Sequence, residues 1–319
     1  MVATAASAPD EKFGGITALE RLRSIQKENP DVSLSVIVVM ALVDIMKNSQ
    51  TKSTSEFSEY ATRAANAFKS LPEKTASMIA GADLFLDPLP KMMVNAGKGS
   101  EVFSDWLKNI FESFDKKFVA FREFREKAAT NGLPFVKDNA VILVHSYSRA
   151  VMLLLRKAHG ENKRFKVFVT ETSPTSSGTR AVQELRKFQI PAELILDAAV
   201  GFIMDRVDMV IAGAEGVVQN GGIINQIGTY QIAVVAKAAN KPFYVVTEQY
   251  KFVPLFPLSQ SDLPIPLPKY FDSADGDKIS PRNPNIDYTP PEYISLLFTN
   301  VGVLTPSGVS EELIKFFMG

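Results

Sequence analysis

The sequence predicts an α/β protein in which an N-terminal helical domain precedes a domain built on a parallel sheet. Residues 16–131 carry apolar positions at helical spacing and no strand-like runs. From about residue 135, short apolar runs alternate with helical stretches, which is typical of a parallel sheet covered on both faces. We therefore expect a helical domain over residues 1–135 and an α/β domain over residues 136–319.

The composition excludes several function classes. Lysine plus arginine and aspartate plus glutamate number 35 each among 319 residues, so the formal net charge is zero and we expect no direct nucleic-acid binding through bulk charge. The chain has no cysteine, which rules out disulfides, cysteine zinc sites and a thiol nucleophile. Its two histidines, His145 and His159, are too few for a histidine-rich metal site.

The sequence shows no feature of a membrane protein. The longest apolar run near the N-terminus, residues 36–43, ends at Asp44, whereas a membrane-spanning helix needs about 20 apolar residues. Residues 1–13 contain two acidic residues and no arginine, unlike a transit peptide, and they lack the basic start and apolar centre of a signal peptide. We expect a cytoplasmic protein with a disordered N-terminus and no membrane contact.

Three helices are predicted before residue 71. Residues 18–29 and 53–70 are amphipathic, and the second of these segments opens with a Ser-Thr pair ahead of Glu56, as a capped helix start does. Residues 33–48 are apolar nearly all round, which predicts a buried helix.

The clearest helical pattern lies over residues 104–129. Apolar side chains recur there at spacings of three or four, on one helical face: Trp106, Ile110, Phe114, Phe118, Phe121 and Phe124. Two interpretations are open. We favour packing inside the helical domain, and the alternative is a docking surface for a partner.

Five near-continuous apolar runs in the C-terminal domain are predicted to be strands, over residues 140–146, 165–171, 192–197, 208–214 and 242–248. Four helical stretches separate them, over residues 148–160, 176–189, 198–207 and 228–240. A loop rich in Gly and Asn is expected between the fourth strand and the last of these helices.

Residues 252–292 interrupt this alternation. Nine of the nineteen prolines fall there, around the acidic stretch FDSADGDK, so we expect an irregular surface excursion. Residues 293–299 predict a further strand, and residues 307–318 predict a C-terminal helix capped by Ser307 or Ser310.

Polar residues follow the ends of the predicted strands. In a parallel sheet these ends lie at one edge, where ligands bind in such folds. Ser146 and Arg149 follow the first strand, Asp197 ends the third, Glu215 follows the fourth and Lys251 follows the fifth. Backbone N–H groups at helix starts are suited to hold a phosphate or sulfate, Lys251 adds charge, and the two carboxylates can accept sugar hydroxyls.

A structural interpretation of the same residues is also open. Asp197 and Glu215 are equally suited to cap helices or to tie loops together, and Ser146 to act as a cap. For each residue alone the structural role is favoured. For the cluster we favour a ligand pocket, because independent strand ends agree.

Residues 196–246, which include AGAEGVVQNGGIINQIGTY, resemble the family of the regulatory subunits of eukaryotic translation initiation factor 2B and the sugar-phosphate isomerases. The motifs ILVHSYSR, RFKVFVTE, YKFVPLFPL and LLFTNVGVLTPSGVSEELIKFF fit the same family, and its alpha-subunit branch most closely. The likeness is dense from about residue 138 to the end and thinner in the N-terminal helices. It implies a Rossmann-like C-terminal domain and homodimerisation through that domain.

The isomerase branch of the family, which acts on methylthioribose 1-phosphate or ribose 1,5-bisphosphate, uses a Cys and an Asp in this pocket. The resemblance aligns Ser146 with the Cys and Glu215 with the Asp, and Asn225 and Gln226 with an Asn-Lys pair, while Lys251 matches a family lysine. A serine hydroxyl without a base is a weaker acid or base than a thiol, and Glu215 reaches further than Asp. We therefore expect a protein that is not an enzyme.

The pocket itself is expected to persist. The candidate ligand-binding residues are Ser146, Arg149, Asp197, Glu215, Asn225, Gln226 and Lys251. No cofactor is expected to be required, and the pocket is expected to accept a sugar phosphate, a nucleoside monophosphate, or inorganic phosphate or sulfate. The alternative, an aldose–ketose isomerase of sugar phosphates that uses Ser146 and Glu215, stays open.

The resemblance also implies partners. It places such a chain in the exchange factor that reloads initiation factor 2 with GTP, beside beta, gamma, delta and epsilon subunits, with exchange itself belonging to another subunit. That factor is inhibited when the alpha subunit of initiation factor 2 is phosphorylated. We expect the helical domain to help sense that phosphate through basic residues that look exposed: Arg63, Lys69, Lys116, Lys117, Arg122 and Arg125. Segment 228–240 and the proline-rich excursion are the candidates for the homodimer interface.

Overall fold

A computed structural model of the chain describes residues 11–71, 74–90, 103–263 and 284–318. The chain divides into two compact units, Met1–Glu123 and Phe124–Gly319, and the predicted α/β class is confirmed. The division lies inside a long helix, whereas the sequence pattern changes near residue 135, after that helix has ended. The domain limits of 1–135 and 136–319 stay a prediction.

The first unit is helical. A short strand pair, β1 (Lys12–Phe13) and β2 (Ile16–Thr17), precedes four helices: α1 (Ala18–Glu28), α2 (Leu34–Lys47), α3 (Thr54–Ser70) and α4 (Ala76–Leu86). Hydroxyl side chains cap three of these helices by accepting a backbone N–H of the first turn: Thr17, Ser53 and Thr75. The predicted capped start ahead of Glu56 is confirmed, since the Ser53 hydroxyl accepts the Glu56 N–H.

Helix α2 forms the centre of this unit. Most of its side chains are buried, as its uniformly apolar sequence predicts, and it packs most extensively against α4. The two backbones approach closely at Gly81, where a Cβ atom would lie 2.3 Å from the carbonyl oxygen of Ser35. A larger residue at position 81 would force the helices apart.

The long helix α5 spans Phe103–Gly132. Within the first unit its aromatic stripe packs inward, because Trp106 meets Phe57 edge-on at 5.2 Å between ring centroids and Phe114 stacks on Phe85 at 5.1 Å. Four of the six predicted positions are buried: Trp106, Ile110, Phe114 and Phe121. Packing therefore accounts for most of the stripe.

The second unit is built on a seven-stranded sheet. Its strands are β3 (Ala140–His145), β4 (Phe165–Thr170), β5 (Ala192–Ile195), β6 (Met209–Ala212), β9 (Phe243–Val246), β12 (Leu296–Thr299) and β13 (Gly302–Leu304). The order across the sheet is β13-β12-β9-β6-β3-β4-β5, and all neighbours are parallel except the β12–β13 pair. All five predicted strands and the sixth over residues 293–299 are confirmed.

Helices connect the strands of this sheet, and a further helix follows its last strand. They are α6 (Arg149–Gly160), α7 (Ser177–Lys187), the single turn α8 (Val200–Ile203), α9 (Thr229–Ala238) and α10 (Pro306–Met318). Apolar residues fill both faces of the sheet, one cluster under α6 and α7 and another under α9 and α10. This burial on both faces is the physical reason that the strands read as continuous apolar runs.

The predicted Gly- and Asn-rich loop is wrong, because the segment forms a β-hairpin. Strands β7 (Gly216–Val218) and β8 (Ile223–Gln226) are antiparallel, and β10 (Phe252–Val253) and β11 (Ile286–Thr289) complete a second sheet in the order β10-β7-β8-β11. The turn contains Asn220 and Gly221, the latter at φ +86°, and the Asn220 side-chain oxygen accepts the Gly222 N–H at 3.0 Å. An Asn-Gly dipeptide between β-branched residues is a strong hairpin signal that the prediction overlooked.

Two further predictions need correction. The segment 252–292 is not irregular throughout, since β10 and β11 lie in it; residues 264–283, with the acidic stretch, lie outside the described residues. The C-terminal helix is capped by Thr305 rather than by Ser307 or Ser310, because the Thr305 hydroxyl accepts the Gly308 N–H at 3.2 Å. Ser310 instead donates to the carbonyl oxygen of Gln219.

Candidate functional site

The carboxyl ends of the parallel strands meet at one edge of the large sheet, as predicted, and we call this edge the rim. At the end of β3, Ser146 adopts a left-handed backbone at φ 65° and is 5% exposed. Its hydroxyl lies 3.0 Å from the hydroxyl of Ser177, at the start of α7. A non-glycine residue in this conformation is uncommon, and such residues cluster at functional sites.

Asp197, beyond the end of β5, holds a neighbouring loop. Its two carboxylate oxygens accept the backbone N–H groups of Thr172 at 2.9 Å and Ser173 at 2.7 Å. These are the contacts that the structural interpretation of Asp197 predicts. The binding of a ligand by Asp197 stays a prediction.

Glu215 and Gln226 are brought together by the hairpin. The Gln226 side-chain amide donates to Glu215, and the Glu215 N–H donates to the carbonyl oxygen of Ile224 at 2.9 Å, so both residues are tied to the paired strands. Burial raises the pKa of the Glu215 carboxyl, and the Gln226 hydrogen bond and the charge of Lys251 only partly offset this effect.

Lys251 acts on two carboxylates, because its charge affects Glu215 and it forms an ion pair with Glu248 after the end of β9. Its ammonium group is 2.8 Å from Glu248, and Arg125 donates to the other carboxylate oxygen at 3.1 Å. Glu248 is 1% exposed. Burial alone would raise its pKa, but Lys251 and then Arg125 outweigh that effect and lower the pKa to about 2.

Arg149 belongs to the same cluster. The pKa of its guanidinium is lowered, first by burial and then by the nearby charge of Arg125, while Glu248 acts in the opposite sense. Tyr250 is buried beside them, and burial followed by the Glu248 charge raises the pKa of its hydroxyl well above the usual value. Three cations therefore surround one carboxylate at this part of the rim, an excess of positive charge suited to an anionic ligand.

Asn225 turns into the fold. It is 6% exposed, and its side-chain amide donates to the Thr229 hydroxyl at 3.0 Å, which in turn donates to the Gln226 carbonyl oxygen. At least one of its amide hydrogens is thus used within the protein. A direct ligand contact of Asn225 stays a prediction.

The helix starts near the rim are not equally open. Ser148 caps α6, and Asp287 of β11 accepts the Gly228 and Tyr230 N–H groups at the start of α9. Helix α7 begins at Ser177 without a side-chain cap in the described part of the chain. Of these three helix starts, α7 best fits the predicted backbone anion site.

The sequence prediction left two residues of this region out. Arg125 lies on α5 far from the strand ends in sequence, and one basic residue among many on a helix gives no signal of its buried partner. It was expected to be exposed, and that expectation is wrong because it pairs with Glu248. Asp287 lay in the segment expected to be irregular, although Ile286, Tyr288 and Thr289 around it are typical of a strand.

Within the described ranges, His, Asp and Glu residues form no group of three or more that is arranged to hold a metal ion. None of the helices described combines the length and the apolar content that a bilayer crossing requires.

Comparison with known proteins gives a family. The model of the initiation factor 2 subunit family matches residues 27–306. Translation initiation factor eIF2B subunit alpha of Dictyostelium discoideum is 37% identical over 303 residues, which cover 91% of this chain and 94% of the relative. Ribose 1,5-bisphosphate isomerase of Methanocaldococcus jannaschii is 33% identical over 216 residues, 66% of this chain and 69% of that enzyme.

A solved structure agrees in fold. A chain of the tetrameric eIF2B-beta2-delta2 complex from C. thermophilum matches with a TM-score of 0.74 at 16% identity, covering 94% of each chain. The family model spans most of the sequence, and the Dictyostelium relative matches nearly end to end. The chain therefore belongs to the initiation factor 2 subunit family.

Proposed function

We propose that the chain is a regulatory, non-catalytic subunit of the exchange factor for translation initiation factor 2, with a pocket for a phosphate-bearing small molecule. The observation that carries the first half is the 37% identity to a relative named as subunit alpha of initiation factor 2B, which extends over 303 residues. Assembly with beta, gamma, delta and epsilon subunits, and contact with initiation factor 2, follow from that role.

The cationic cluster carries the second half of the proposal. Arg149 and Lys251 lie at a rim that also presents the Ser146 hydroxyl and the Glu215–Gln226 pair. Cations offer charge to a phosphate, and carboxylate and amide groups offer hydrogen bonds to sugar hydroxyls. A sugar phosphate, a nucleoside monophosphate or inorganic phosphate fits this combination.

The pocket is tested by thermal unfolding with inorganic phosphate, ribose 5-phosphate and AMP. A ligand at 100 times its Kd stabilises the folded state by about 2.7 kcal/mol, so a binding probe raises the melting temperature. Lys251→Gln and Arg149→Gln should abolish the shift, and Lys166→Gln, which removes an exposed lysine of β4, should preserve it. The pocket proposal would be refuted if none of the three probes at millimolar concentration raised the melting temperature. An equal rise in all variants would also refute it.

The role in phosphate sensing rests on the helical unit. Lys116 and Arg122 are exposed on α5, and Lys116 and Lys117 line a cavity of about 500 Å³. Arg63 and Lys69 are paired with Glu11 and Asp83, which leaves less of their charge for a partner.

The sensing role is tested by nucleotide exchange on the assembled factor, with and without this chain. Phosphorylated initiation factor 2 should inhibit exchange only when the chain is present, and Lys116→Glu with Lys117→Glu should relieve that inhibition. Equal inhibition with and without the chain would exclude it from the sensor. If inhibition needs the chain but persists in the variant with both lysines replaced, the phosphorylated factor contacts another surface of the chain.

The isomerase alternative has one observation in its favour. Burial raises the pKa of Glu215, and a raised pKa is common among carboxyl groups that exchange protons with a substrate. Turnover of ribose 1,5-bisphosphate or methylthioribose 1-phosphate that disappears in Ser146→Ala and Glu215→Gln would favour the isomerase. We expect no turnover, because a serine hydroxyl is a poor substitute for a thiol in acid–base chemistry.

A homodimer formed through the second unit is also proposed. Leu196 and Phe202 are 60% and 79% exposed, and α8, which carries Phe202, packs against α9, which carries the exposed Val234. Such an apolar area on one side of the unit suits an interface. Sedimentation should show a dimer at micromolar concentration, and Phe202→Asp should shift the equilibrium towards monomer. A monomer in both proteins would contradict the proposal.

A further inference from the structure

One peptide group next to the candidate pocket is held at both ends by ionisable side chains. It joins Ile227 to Gly228, directly after Gln226. The carbonyl oxygen of Ile227 lies 2.9 Å from Nε2 of His145, and the N–H of Gly228 donates to a carboxylate oxygen of Asp287 at 2.8 Å. His145 is 1% exposed and Asp287 is 6% exposed, so both side chains are shielded from water.

The geometry fixes the proton of His145. A carbonyl oxygen only accepts hydrogen bonds, so Nε2 carries a hydrogen and donates it to Ile227. Burial lowers the pKa of His145, with Asp197 and the backbone opposing that effect, and the ring is therefore neutral near pH 7. In that form Nδ1 accepts a hydrogen bond from the hydroxyl of Thr170, 2.6 Å away. The ring is therefore held by Thr170 of β4 on one side and by the turn at Ile227 and Gly228 on the other.

Asp287 holds the other side of the turn. The Asp287 oxygen that accepts the Gly228 N–H also accepts the Tyr230 N–H at 3.1 Å. The backbone carbonyl oxygen of Asn285, two residues before Asp287, accepts the Ile227 N–H at 2.9 Å. Asp287 is paired in register with Asn225 on β8. The segment that enters β11 therefore fixes the backbone from the end of the hairpin to the first turn of α9.

Gly228 gives this peptide freedom that the side chains must remove. Its φ of +101° is a conformation that only glycine adopts easily, and an added Cβ would lie 3.1 Å from Cε1 of His145. A glycine on one side of a peptide allows the plane to rotate at little cost. The observed orientation is selected by His145 on the oxygen side and Asp287 on the nitrogen side.

We infer that His145 and Asp287 are positioning residues of the pocket: by holding the Ile227–Gly228 peptide between them, they keep the Gln226 side chain on Glu215. The inference concerns the site described in the proposed function and rests on it only for the ligand. Neither residue needs to touch the ligand. Pairing with Ile286 fixes the backbone of Gln226, so loss of either contact should act through Ile227 on the Gln226 side chain.

The Asp287 carboxyl group, which makes this contact, changes its charge near neutral pH. Burial raises the pKa of Asp287 to about 7, although the two backbone N–H groups pull it down, and its second oxygen has no partner within the described residues. The other titratable groups near the turn are His145, Asp197, which acts on His145, and Tyr230, whose pKa is raised by a hydrogen bond with Tyr293. The deprotonated carboxylate holds the N–H groups more strongly than the protonated acid.

The test follows the Gly228 and Tyr230 amide resonances and the Gln226 side-chain amide by NMR between pH 5 and 9, without ligand. In the wild type both backbone amides should titrate together with a midpoint near 7. In Asp287→Asn, which keeps an oxygen acceptor of the same shape, they should stay bonded but lose the titration. In Asp287→Ala and His145→Ala the Gln226 amide should shift, and the Gly228 amide should exchange at least 10-fold faster.

Asp262→Asn is the matched control. Asp262 also accepts two backbone N–H groups, from Leu258 at 2.9 Å and Ser259 at 2.8 Å, but it is exposed and both of these partners lie in its own loop. This variant should leave all three resonances unchanged. Wild-type amides that do not respond to pH, or a Gln226 amide that is unchanged in both alanine variants, would overturn the inference.

Inorganic phosphate and AMP then separate the inference from the proposed function. If the pocket binds either probe, Asp287→Ala should weaken binding at least 10-fold, while Asp287→Asn should bind with an affinity that no longer depends on pH between 6 and 8. Equal affinity in the wild type and Asp287→Ala would overturn the positioning role. If neither probe binds but the amides behave as expected, the pocket proposal fails and the positioning of Gln226 stands.

Discussion

The end of β9 and the start of α9 each bury a carboxylate, and they do so in opposite ways. Glu248 has Lys251 and Arg125 against it, and its pKa is about 2. Asp287 has two backbone N–H groups, and its pKa is about 7. Burial disfavours the charged form of both, so the difference arises from the partners: two full charges overcome desolvation, and two amide dipoles do not.

This difference separates two kinds of site within one rim. The Glu248 cluster keeps a fixed charge through the physiological range and suits permanent attraction of an anion. The Asp287 contact changes its charge within that range and suits adjustment of the neighbouring turn. Four predictions test the comparison, from the largest expected effect to the smallest.

The largest effect should be the pH dependence that Asp287 imposes. Its folded pKa of about 7 exceeds the unfolded value of about 3.9, so the folded state holds a proton that the unfolded chain has lost. The free energy of unfolding should fall as pH rises from 4 to 7, by at most about 1.4 kcal/mol per pH unit. Asp287→Asn should flatten this dependence. Denaturant unfolding at several pH values measures it, and parallel profiles for both proteins would contradict the assignment.

Glu248 should show the reverse dependence. Its contribution is present above the unfolded pKa of about 4.3 and is lost as pH falls towards 2. The contribution of Glu248 to stability should also be measurable at neutral pH by removing one of its cations. Arg125→Met should lower the free energy of unfolding by about 3 kcal/mol, because the buried Glu248 carboxylate loses a partner. Arg164→Met removes an exposed partner of Asp138 and should have no measurable effect. Similar losses in the two variants would refute a special role of burial at Glu248.

A smaller effect is expected at Gly228. Gly228→Ala combines backbone strain with the close approach to His145 and should cost about 2 kcal/mol. Gly302→Ala is matched in its positive φ of +136°, but its Cβ would meet no atom of the described residues within 4 Å, so it should cost about 1 kcal/mol from strain alone. Chemical denaturation of both variants gives the difference. Equal costs would indicate that the His145 ring moves aside freely.

The smallest effect should come from Tyr250. Its hydroxyl is hydrogen-bonded to Glu248, and Tyr250→Phe should lower the free energy of unfolding by about 1 kcal/mol and raise the pKa of Glu248. Tyr244→Phe, on β9 itself, is the control, since burial alone raises the pKa of Tyr244. A larger loss in the control than in Tyr250→Phe would show that packing rather than the hydrogen bond is being measured.

Much of the fold is legible in the sequence because its signals are local. The strands of the large sheet are mostly apolar, the stripe from Trp106 onwards has helical spacing, and Ser53 precedes Glu56 at the spacing of a cap. In the second sheet, the Asn220–Gly221 signal of the central hairpin was overlooked, and the two outer strands were missed because they are short and come from distant segments. Nothing local to Phe252 or Ile286 indicates that they pair with one hairpin.

The candidate site divides in the same way. Ser146, Glu215 and Lys251 follow strand ends, so their place at the rim follows from the topology. Arg125 and Asp287 reach the region by tertiary packing, from the long helix and from β11. Their roles depend on which partner is buried beside them, and sequence spacing carries no information about that.

The hairpin has a consequence for how fast a ligand associates. The side chains of Glu215 and Gln226 are hydrogen-bonded to each other within the folded protein, so their relative position is set when the chain folds rather than when a ligand arrives. The entropy of ordering these two side chains is therefore already lost in the free protein. Association should be a single phase whose rate rises linearly with ligand concentration, with no slow step of rearrangement at saturation.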